Sequence, residues 1–126
     1  MVTAATDSPG WVIELFAERM NSGDLEGALA LYEPGATFAP QPGTLVSGLE
    51  QIREALTQFF ALEPTINGEI EKVVAAGDTA LIVNRWSLEG TTPDGQSLPM
   101  EGKSADVVRR QSDGRWLILI DDPWGA

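Results

Sequence analysis

The chain contains neither cysteine nor histidine among its 126 residues. These absences exclude thiol nucleophiles, disulfides and histidine-based catalytic triads, as well as zinc sites built from nitrogen and sulfur ligands. Only eight lysines and arginines stand against nineteen aspartates and glutamates, which gives a formal net charge of -11. Because an acidic surface repels phosphate backbones and anionic lipids, the composition predicts neither a nucleic-acid partner nor a membrane partner.

Long apolar runs and common cofactor motifs are missing as well. The longest purely aliphatic run, 117–120, is too short to span a bilayer. Met1–Gly10 has neither the basic start nor the apolar core of a signal peptide, so we expect a cytoplasmic protein. No glycine-rich phosphate loop, nucleophile elbow or helical pair of metal ligands is present. The sequence therefore predicts no metal site and no cofactor.

What the sequence does contain is enough for one ordinary core. Its mass is 13.5 kDa and 43% of its residues are hydrophobic, which argues against disorder. A chain of this length supports one core without disulfides or metals. We therefore expect a single domain over residues 1–126.

Helices are predicted in the first half of the chain. Ser8-Pro9 is typical of a helix start, and apolar residues at helical spacing follow to Asn21. Acidic residues from Asp24 onward favour the start of a second helix, which we expect to reach about Tyr32 and to stop at Pro34-Gly35.

A third helix is predicted after two short strands at 36–39 and 44–46. Ser47 and Glu50 have the spacing of a capping box at its start, and Pro64 is expected to end it. The second half of the chain changes to strand patterns separated by turn signals. The four predicted strands are 66–76, 79–90, 97–110 and 114–122. Helices followed by an antiparallel meander predict an α+β fold.

Two of these strands are apolar at consecutive positions, 80–83 and 116–120. Such runs place apolar side chains on both faces of a sheet, whereas three helices cover only one face. A second copy of the chain is the simplest cover for the other face, so we expect a homodimer. The alternative is a small barrel closed on itself.

A few charged residues stand inside or beside these apolar strands. Asp106 and Arg85 each interrupt an apolar strand, and Asp121-Asp122 directly follows the last apolar run. Because a buried charge is costly unless it is paired, we expect Asp106 and Arg85 to face the same cavity and to interact. Asp106 is then either a pocket acid with a shifted pKa or one half of a structural ion pair.

The other charged residues also have alternative interpretations. Arg85 could instead stack on Trp86 or Trp124. Asp121-Asp122 before Pro123 is typical of an Asx turn, although an oxygen-only cation site is an alternative there.

Beyond these patterns, the chain resembles ketosteroid isomerase and the SnoaL-like proteins of the nuclear transport factor 2-like superfamily. The resemblance rests on the stretches 21–28, 31–38, 48–53 and 113–125, and covers nearly the whole chain. It implies a cone-shaped, curved antiparallel sheet wrapped around three N-terminal helices (a cystatin-like arrangement) with a conical pocket between them. It also implies a dimer through the outer face of the sheet. Since this superfamily hosts many activities, the resemblance is specific for fold and not for function.

Carried over residue by residue, the resemblance retains one of the three catalytic positions of the isomerase. The tyrosine donor falls on Phe16 and the aspartate base on Pro40, neither of which has the required group. The protonated aspartate donor matches Asp106. Trp124 matches an aromatic pocket residue. We therefore expect no ketosteroid isomerisation.

The resemblance to the epoxide-hydrolase relatives implies a different catalytic set, Asp-Arg-Asp on neighbouring strands, which Arg85, Asp106 and Asp122 would imitate. In this chain Ser87 stands two residues after Arg85, where that pattern has an aspartate.

Together these observations predict a dimeric protein that binds a small, largely apolar organic ligand. We expect Asp106 to act as acid or donor, Arg85 to orient it and Asp122 to act as a base, as suits a cofactor-free isomerase, cyclase or hydratase. The residues expected to line the pocket are Phe16, Met20, Phe38, Val83, Ser87 and Trp124. The alternative is a non-catalytic ligand-binding or dimerisation module.

Overall fold

Three helices and six strands lie within residues 8–126, the part of the chain that this computed structural model describes. In chain order they are α1 (Gly10–Asn21), α2 (Leu25–Leu29), β1 (Tyr32–Gln41), β2 (Thr44–Ser47), α3 (Leu49–Phe60), β3 (Thr65–Ala76), β4 (Thr79–Thr91), β5 (Ser97–Arg110) and β6 (Trp116–Asp122). Residues 1–7, which hold most of the segment used to predict the absence of a signal peptide, lie outside the described residues. None of the described helices is long and apolar enough to cross a membrane.

The start of α2 agrees with the sequence, whereas its end does not. The Asp24 side chain accepts a hydrogen bond from the backbone N–H of Gly27 at 2.9 Å, as an N-cap residue should. The helix ends at Leu29, and Tyr32 begins β1 instead of completing the helix. Pro34-Gly35 does not end a helix. It lies inside β1, where the pairing of β1 with β6 is irregular, and so proline removes no regular ladder hydrogen bond.

The predicted capping box of α3 is wrong. Ser47 belongs to β2, and its hydroxyl shares a hydrogen bond with Thr37 across the β1–β2 pair at 2.9 Å. Gln51, and not Glu50, reaches back to accept from the Ser47 backbone N–H at 3.0 Å. Gly48 is the N-cap residue, with a φ of 85° that glycine adopts without strain.

The sheet is mixed, whereas an antiparallel one was expected. Its strand order is β2-β1-β6-β5-β4-β3, in which β1 and β6 run parallel and every other pair is antiparallel. The parallel pair arises because the chain crosses the whole sheet between β1 and β6. The third helix follows β2, so the three helices do not all precede the sheet. The order ends at β2 and β3, which are not paired, so among the described strands the sheet is open and not a closed barrel.

Which side chains lie on each face of the sheet follows from the alternation of residues along the strands and from one bulge in β6. On β4, the even-numbered Ile82, Trp86 and Leu88 are buried and define the inner face. On β6, Ile118 pairs with Val108 and Ile120 with Val107, so two steps on β6 match one step on β5. Leu119 is the extra residue of this bulge. A bulge reverses the alternation beyond it, which turns Ile120 outward and Asp121 inward.

The core lies between the inner face and the helices. The largest side chains that are fully buried there are Val12, Ile52, Leu56, Ile82, Val108 and Ile118. They come from α1, α3 and the strands β4, β5 and β6, so the helices are held against the inner face of the sheet. A second, smaller cluster of Met20, Trp86 and Leu88 lies towards the end of α1. The cavity described below lies beside these clusters, between the helices and the inner face.

The end of α1 is tied to the start of β3 by one side-chain amide. Asn21 Nδ2 donates to the carbonyl of Ile66 at 2.9 Å, and the backbone N–H of Ile66 donates to Asn21 Oδ1 at 2.6 Å. Both bonds join elements 45 residues apart in sequence. The amide therefore fixes the distance between helix and strand at the edge of the cavity.

We predict that Asn21→Ala lowers the free energy of unfolding by about 1–2 kcal/mol, because it removes two long-range hydrogen bonds. Asn21→Asp keeps the acceptor and loses the donor, so it should fall between the wild type and Asn21→Ala. Urea unfolding measures both. Ser22→Ala is the control, since the Ser22 hydroxyl bonds only within its own turn, to Arg19. An Asn21→Ala effect no larger than that of Ser22→Ala would contradict the prediction.

Candidate active site

A cavity of about 690 Å³ lies between α1, α3 and the inner face of the sheet. This volume is typical of pockets for small organic molecules. Its wall is mainly apolar and aromatic, with Phe16, Met20, Phe38, Phe59, Trp86 and Trp124 among the lining residues. The polar groups of the wall include Ser104 and Asp106, which are both buried, and Asp121. The cavity thus combines a large apolar surface with a few polar groups at one place.

One side of the cavity is a chain of aromatic rings from α1, β1 and α3. Phe16 contacts Tyr32 edge to face with ring centroids 5.9 Å apart. Tyr32 contacts Phe38, and Phe38 contacts Phe59, each at 6.3 Å. Rings at these distances and tilts attract one another weakly and hold each other in place. This wall is therefore preformed.

The opposite side is built by two tryptophans. Trp86 and Trp124 meet edge to face at 5.1 Å, and Trp86 Nε1 donates to the carbonyl of Pro123 at 2.7 Å. Gly102 leaves room for the Trp86 ring, because a Cβ at this position would lie 3.0 Å from Cζ2 of that ring. These contacts anchor the C-terminal segment against β4 and β5.

Asp106 lies on the inner face of β5 and is 3% exposed. Its cross-strand partner on β4 is Ile82 and its partner on β6 is Asp121. The Ser104 hydroxyl donates to Oδ2 of Asp106 at 2.8 Å. Among the described residues, no hydrogen-bond donor reaches Oδ1. The carboxyl is therefore buried, with Oδ2 hydrogen-bonded to Ser104 and Oδ1 without a donor among the described residues.

Asp121 faces Asp106 because of the bulge at Leu119. Residues directly opposite in an antiparallel pair have Cα atoms about 4.5–5.5 Å apart, so the two side chains are neighbours on one face. The hydroxyl of Tyr32, at the start of β1, donates to Asp121 Oδ2 at 2.5 Å. Sequence analysis did not identify Tyr32 as a site residue, and considered Asp121 only with Asp122, as a turn or a cation site. Strict alternation from Trp116 and Ile118 would have turned Asp121 outward.

The pKa values of this group are set by burial and mutual repulsion. Burial raises the pKa of Asp106 well above its ordinary value, and the neighbouring Asp121 raises it further. Burial also raises the pKa of Asp121, while hydrogen bonds from Asp106 and Tyr32 act against this. Burial and the Asp121 carboxylate keep the pKa of Tyr32 high, so it donates as a neutral phenol. Of the two carboxyl groups, Asp106 has the more strongly raised pKa, which favours it as the member of the pair that holds a proton and donates it to the Asp121 carboxylate.

The structure places the predicted lining residues on two different faces. Phe16, Met20, Phe38, Trp124 and Asp106 are in the wall of the cavity. Val83, Arg85 and Ser87 are not, because they are the odd-numbered residues of β4 and alternate with buried Ile82, Trp86 and Leu88. The expectation that these three residues line the pocket is therefore wrong.

Arg85 and Asp106 do not interact. Arg85 is opposite Lys103 on the outer face, and its NH2 group donates to Glu71 Oε2 at 2.6 Å. Lys103 Nζ reaches the other oxygen of Glu71 at 3.0 Å. The regular β4–β5 register explains the error, since Asp106 is opposite Ile82 and belongs to the opposite face from Arg85. Asp106 consequently has a carboxyl neighbour where a guanidinium was expected.

Asp122 is not in the cavity wall. It is opposite Ala105 on the outer side of the bulge, and its Oδ1 accepts from the backbone N–H of Trp124 at 3.2 Å. This is the Asx turn considered for this position. The base predicted at Asp122 therefore has no access to the cavity in this arrangement, and Asp121 takes its place. Within residues 8–126, no group of three or more carboxylates is arranged to hold a metal ion.

Comparisons with known proteins agree with this fold. The sequence matches the SnoaL-like domain family over residues 12–118, and has no match among curated proteins. A conserved protein from Planctomyces limnophilus superposes with a TM-score of 0.79 at 20% identity, over 87% of each chain. A ketosteroid isomerase-like protein from Erwinia carotovora gives 0.77 at 18% identity, over 92% of each chain. A nuclear transport factor 2-like superfamily protein from Salmonella enterica gives 0.76 at 18%, over 91% of this chain and 87% of that chain. Such likeness shows the nuclear transport factor 2-like fold.

The raised pKa values predict a distinct pH dependence of stability. Because the folded state holds the Asp106 proton more tightly than the unfolded state, this contribution is complete below the ordinary Asp pKa. It is lost as the pH rises through the raised pKa. Asp106→Asn removes it. The amide can still accept from Ser104 and donate to Asp121, so we expect the variant at pH 7 to equal the wild type or to exceed it by about 1 kcal/mol.

Urea unfolding at a series of pH values measures the difference in free energy of unfolding between Asp106→Asn and the wild type. The contributions of the other titratable groups cancel in this difference. The difference should shift in favour of Asp106→Asn as the pH rises. Asp113→Asn is the control of opposite sign, since hydrogen bonds from Arg115 lower the pKa of Asp113. A difference between Asp106→Asn and wild type that does not vary with pH would contradict the assignment of the retained proton.

Proposed function

The chain belongs to the SnoaL-like domain family, and on that premise we propose that its cavity binds a small, largely apolar organic molecule and moves a proton on it without a cofactor. The observation that carries this proposal is the pair of carboxyl groups, Asp106 and Asp121, in the wall of an otherwise apolar cavity. The aromatic walls supply the surface against which an apolar ligand packs.

The pair contains both components of acid–base catalysis. Asp106, as the carboxyl group that retains its proton, is the general acid, and the Asp121 carboxylate is the general base. A proton leaves a C–H or O–H bond of the ligand, or in hydration an O–H bond of the attacking water, for Asp121, and the Asp106 proton goes to a ligand oxygen or carbon. The neutral Tyr32 phenol stabilises the Asp121 carboxylate by donating to it. Isomerisation, cyclisation and hydration all need this pair of proton transfers.

A second candidate is a non-catalytic ligand-binding module. Phe16 and Pro40 favour it, because they stand where the resembling isomerase has its tyrosine donor and its aspartate base. The two candidates share ligand binding and differ in proton transfer, so an assay of proton transfer separates them.

We predict that the protein accelerates exchange of α-hydrogens for deuterium in apolar cyclic ketones such as 2-tetralone. Exchange reports removal and return of a carbon-bound proton. In D₂O, mass spectrometry of the ketone measures the rate. Asp106→Asn and Asp121→Asn should each reduce it by about 10²-fold or more, the usual contribution of a general acid or base.

Arg85→Gln is the matched control for this assay, since Arg85 is on the outer face of the sheet and should leave the rate within about twofold of the wild type. Binding without exchange would favour the non-catalytic module. Loss of exchange in Arg85→Gln, with Asp106→Asn fully active, would contradict the proposed role of the carboxyl pair.

We also propose that two copies associate through the outer face of the sheet. A row of apolar residues crosses this face on four neighbouring strands: Val74 on β3, Leu81 on β4, Val107 on β5 and Ile120 on β6. Leu81 is 39% exposed and Ile120 is 42% exposed. Burial of such a row against a second copy removes apolar surface from water, and an interface of ordinary size buries about 1,600 Å² in total.

We predict a dimer at micromolar concentration, and a monomer for the double variant Leu81→Lys/Ile120→Lys, by light scattering. The added lysines lower the net negative charge, so dissociation would report the loss of apolar contact and not greater repulsion. Leu98→Lys is the control, because Leu98 is exposed at the far end of β5. A wild-type protein that scatters only as a 13.5 kDa species would contradict this prediction.

A further inference from the structure

One indole N–H group in the wall of the cavity has no acceptor. Trp124 is half-buried and lines the cavity, and its Nε1 is buried without a hydrogen-bond partner among residues 8–126. An indole nitrogen is a donor only and accepts no hydrogen bond. Because most buried polar groups of folded proteins are hydrogen-bonded, a donor left over in a cavity wall requires an acceptor from outside the chain.

The neighbouring tryptophan shows what Trp124 lacks. The rings of Trp86 and Trp124 meet at 5.1 Å in the same wall, and Trp86 Nε1 donates to the carbonyl of Pro123 at 2.7 Å. This bond occupies the backbone carbonyl that directly precedes Trp124. Of the two indole groups that meet here, one is therefore satisfied by the protein and the other is not.

The position of Trp124 is fixed by the segment that carries it. The backbone N–H of Trp124 donates to Asp122 Oδ1 at 3.2 Å, and that of Gly125 donates to the Asp122 carbonyl at 3.1 Å. The backbone N–H of Ala126 then donates to the carbonyl of Lys103 at 3.1 Å, which ties the segment to β5. Hydrogen bonds on both sides of Trp124 thus hold its ring in the wall.

Trp124 and Asp106 lie on the same side of the cavity. A Cβ at Gly125 would lie 3.2 Å from the Cβ of Ala105, so the residues directly next to Trp124 and Asp106 in the chain are in contact. Both Trp124 and Asp106 line the cavity. As the general acid of the proposed function, Asp106 also requires an acceptor on the ligand.

The acceptor that suits this side of the cavity is neutral. The Asp121 carboxylate is in the same wall, whereas all eight lysines and arginines of the chain lie within residues 8–126 and none of them lines the cavity. An anionic ligand group would therefore be repelled without a compensating cation. A carbonyl oxygen is neutral and has two lone pairs, so it can accept two hydrogen bonds at once.

We infer that the cavity binds a carbonyl oxygen of its ligand through the indole N–H of Trp124, with Asp106 as a second donor on the same side. This inference rests on the proposed function, and it adds the functional group that the ligand carries and a residue that binds it. A site with a buried donor discriminates against an otherwise identical ligand that lacks the acceptor, because the donor then stays unpaired.

Proton–nitrogen NMR of the indole groups tests this inference with 2-tetralone and tetralin, which share one ring system and differ in the carbonyl. Relative to tetralin, 2-tetralone should move the Trp124 indole proton downfield, because a hydrogen bond deshields the proton. Trp86 is the internal control, since its indole already donates to Pro123 and should respond alike to both probes. Sequential assignment identifies each signal, so this measurement needs no variant. Equal shifts of the Trp124 signal with both probes would overturn the inference.

Trp124→Phe removes the N–H group and keeps an aromatic ring. It should weaken the binding of 2-tetralone by about three- to tenfold, the usual range for one hydrogen bond, and change the binding of tetralin by less than about twofold. Trp11→Phe is the matched control, because it makes the same substitution outside the cavity and should leave both affinities within about twofold. Equal weakening of both probes by Trp124→Phe would also overturn the inference, since it would report lost packing.

The outcomes also separate this inference from the proposed function. If neither the Trp124 signal nor Trp124→Phe distinguishes the two probes, the inference fails, whereas ligand binding and the role of the carboxyl pair stand. If 2-tetralone at about millimolar concentration shifts no signal of the cavity wall, both the inference and the proposed function are contradicted.

Discussion

The arrangement of the site depends on the bulge at Leu119 in β6. Without the extra residue, strict alternation would carry Ile120 into the core and turn Asp121 outward. With it, Asp121 comes to lie opposite Asp106 on the inner face, and Ile120 joins Leu81 and Val107 on the outer face. One inserted residue therefore shapes both surfaces of the sheet: the carboxyl pair inside and the apolar row outside.

The consequence inside the cavity is a pair of neighbouring carboxyl groups, and no lysine or arginine of residues 8–126 lines the cavity beside them. Repulsion and burial favour a shared state in which one group keeps its proton, and the hydrogen bonds of Ser104 and Tyr32 fix the position of each member. Strongly perturbed pKa values of this kind cluster at functional sites. Aromatic contacts among Phe16, Tyr32 and Phe38 keep the surrounding wall in place.

Sequence patterns predicted most of the architecture because it follows from local periodicity. Bounds for β3, β4 and β5 agree within about one residue, and Asp106 was identified because aspartate is rare in an apolar strand. The parallel pairing of β1 with β6 is long-range and leaves no local signal. Asp121, and not the predicted Asp122, lies in the cavity wall because of a bulge that the hydrophobic pattern alone does not reveal. The outward position of Arg85, in contrast, was available from its alternation with Trp86 and Leu88.

The central claim is that Asp106 and Asp121 share one proton inside the cavity. Carbon-13 NMR of the aspartate side-chain carboxyls across pH tests it directly, with Asp106→Asn and Asp121→Asn to assign the signals. The account predicts that Asp106 titrates well above the ordinary range of aspartate, and that Asp121→Asn lowers its pKa by removing the neighbouring carboxylate. Titration of both carboxyls in the ordinary range, unaffected by the loss of the partner, would contradict it.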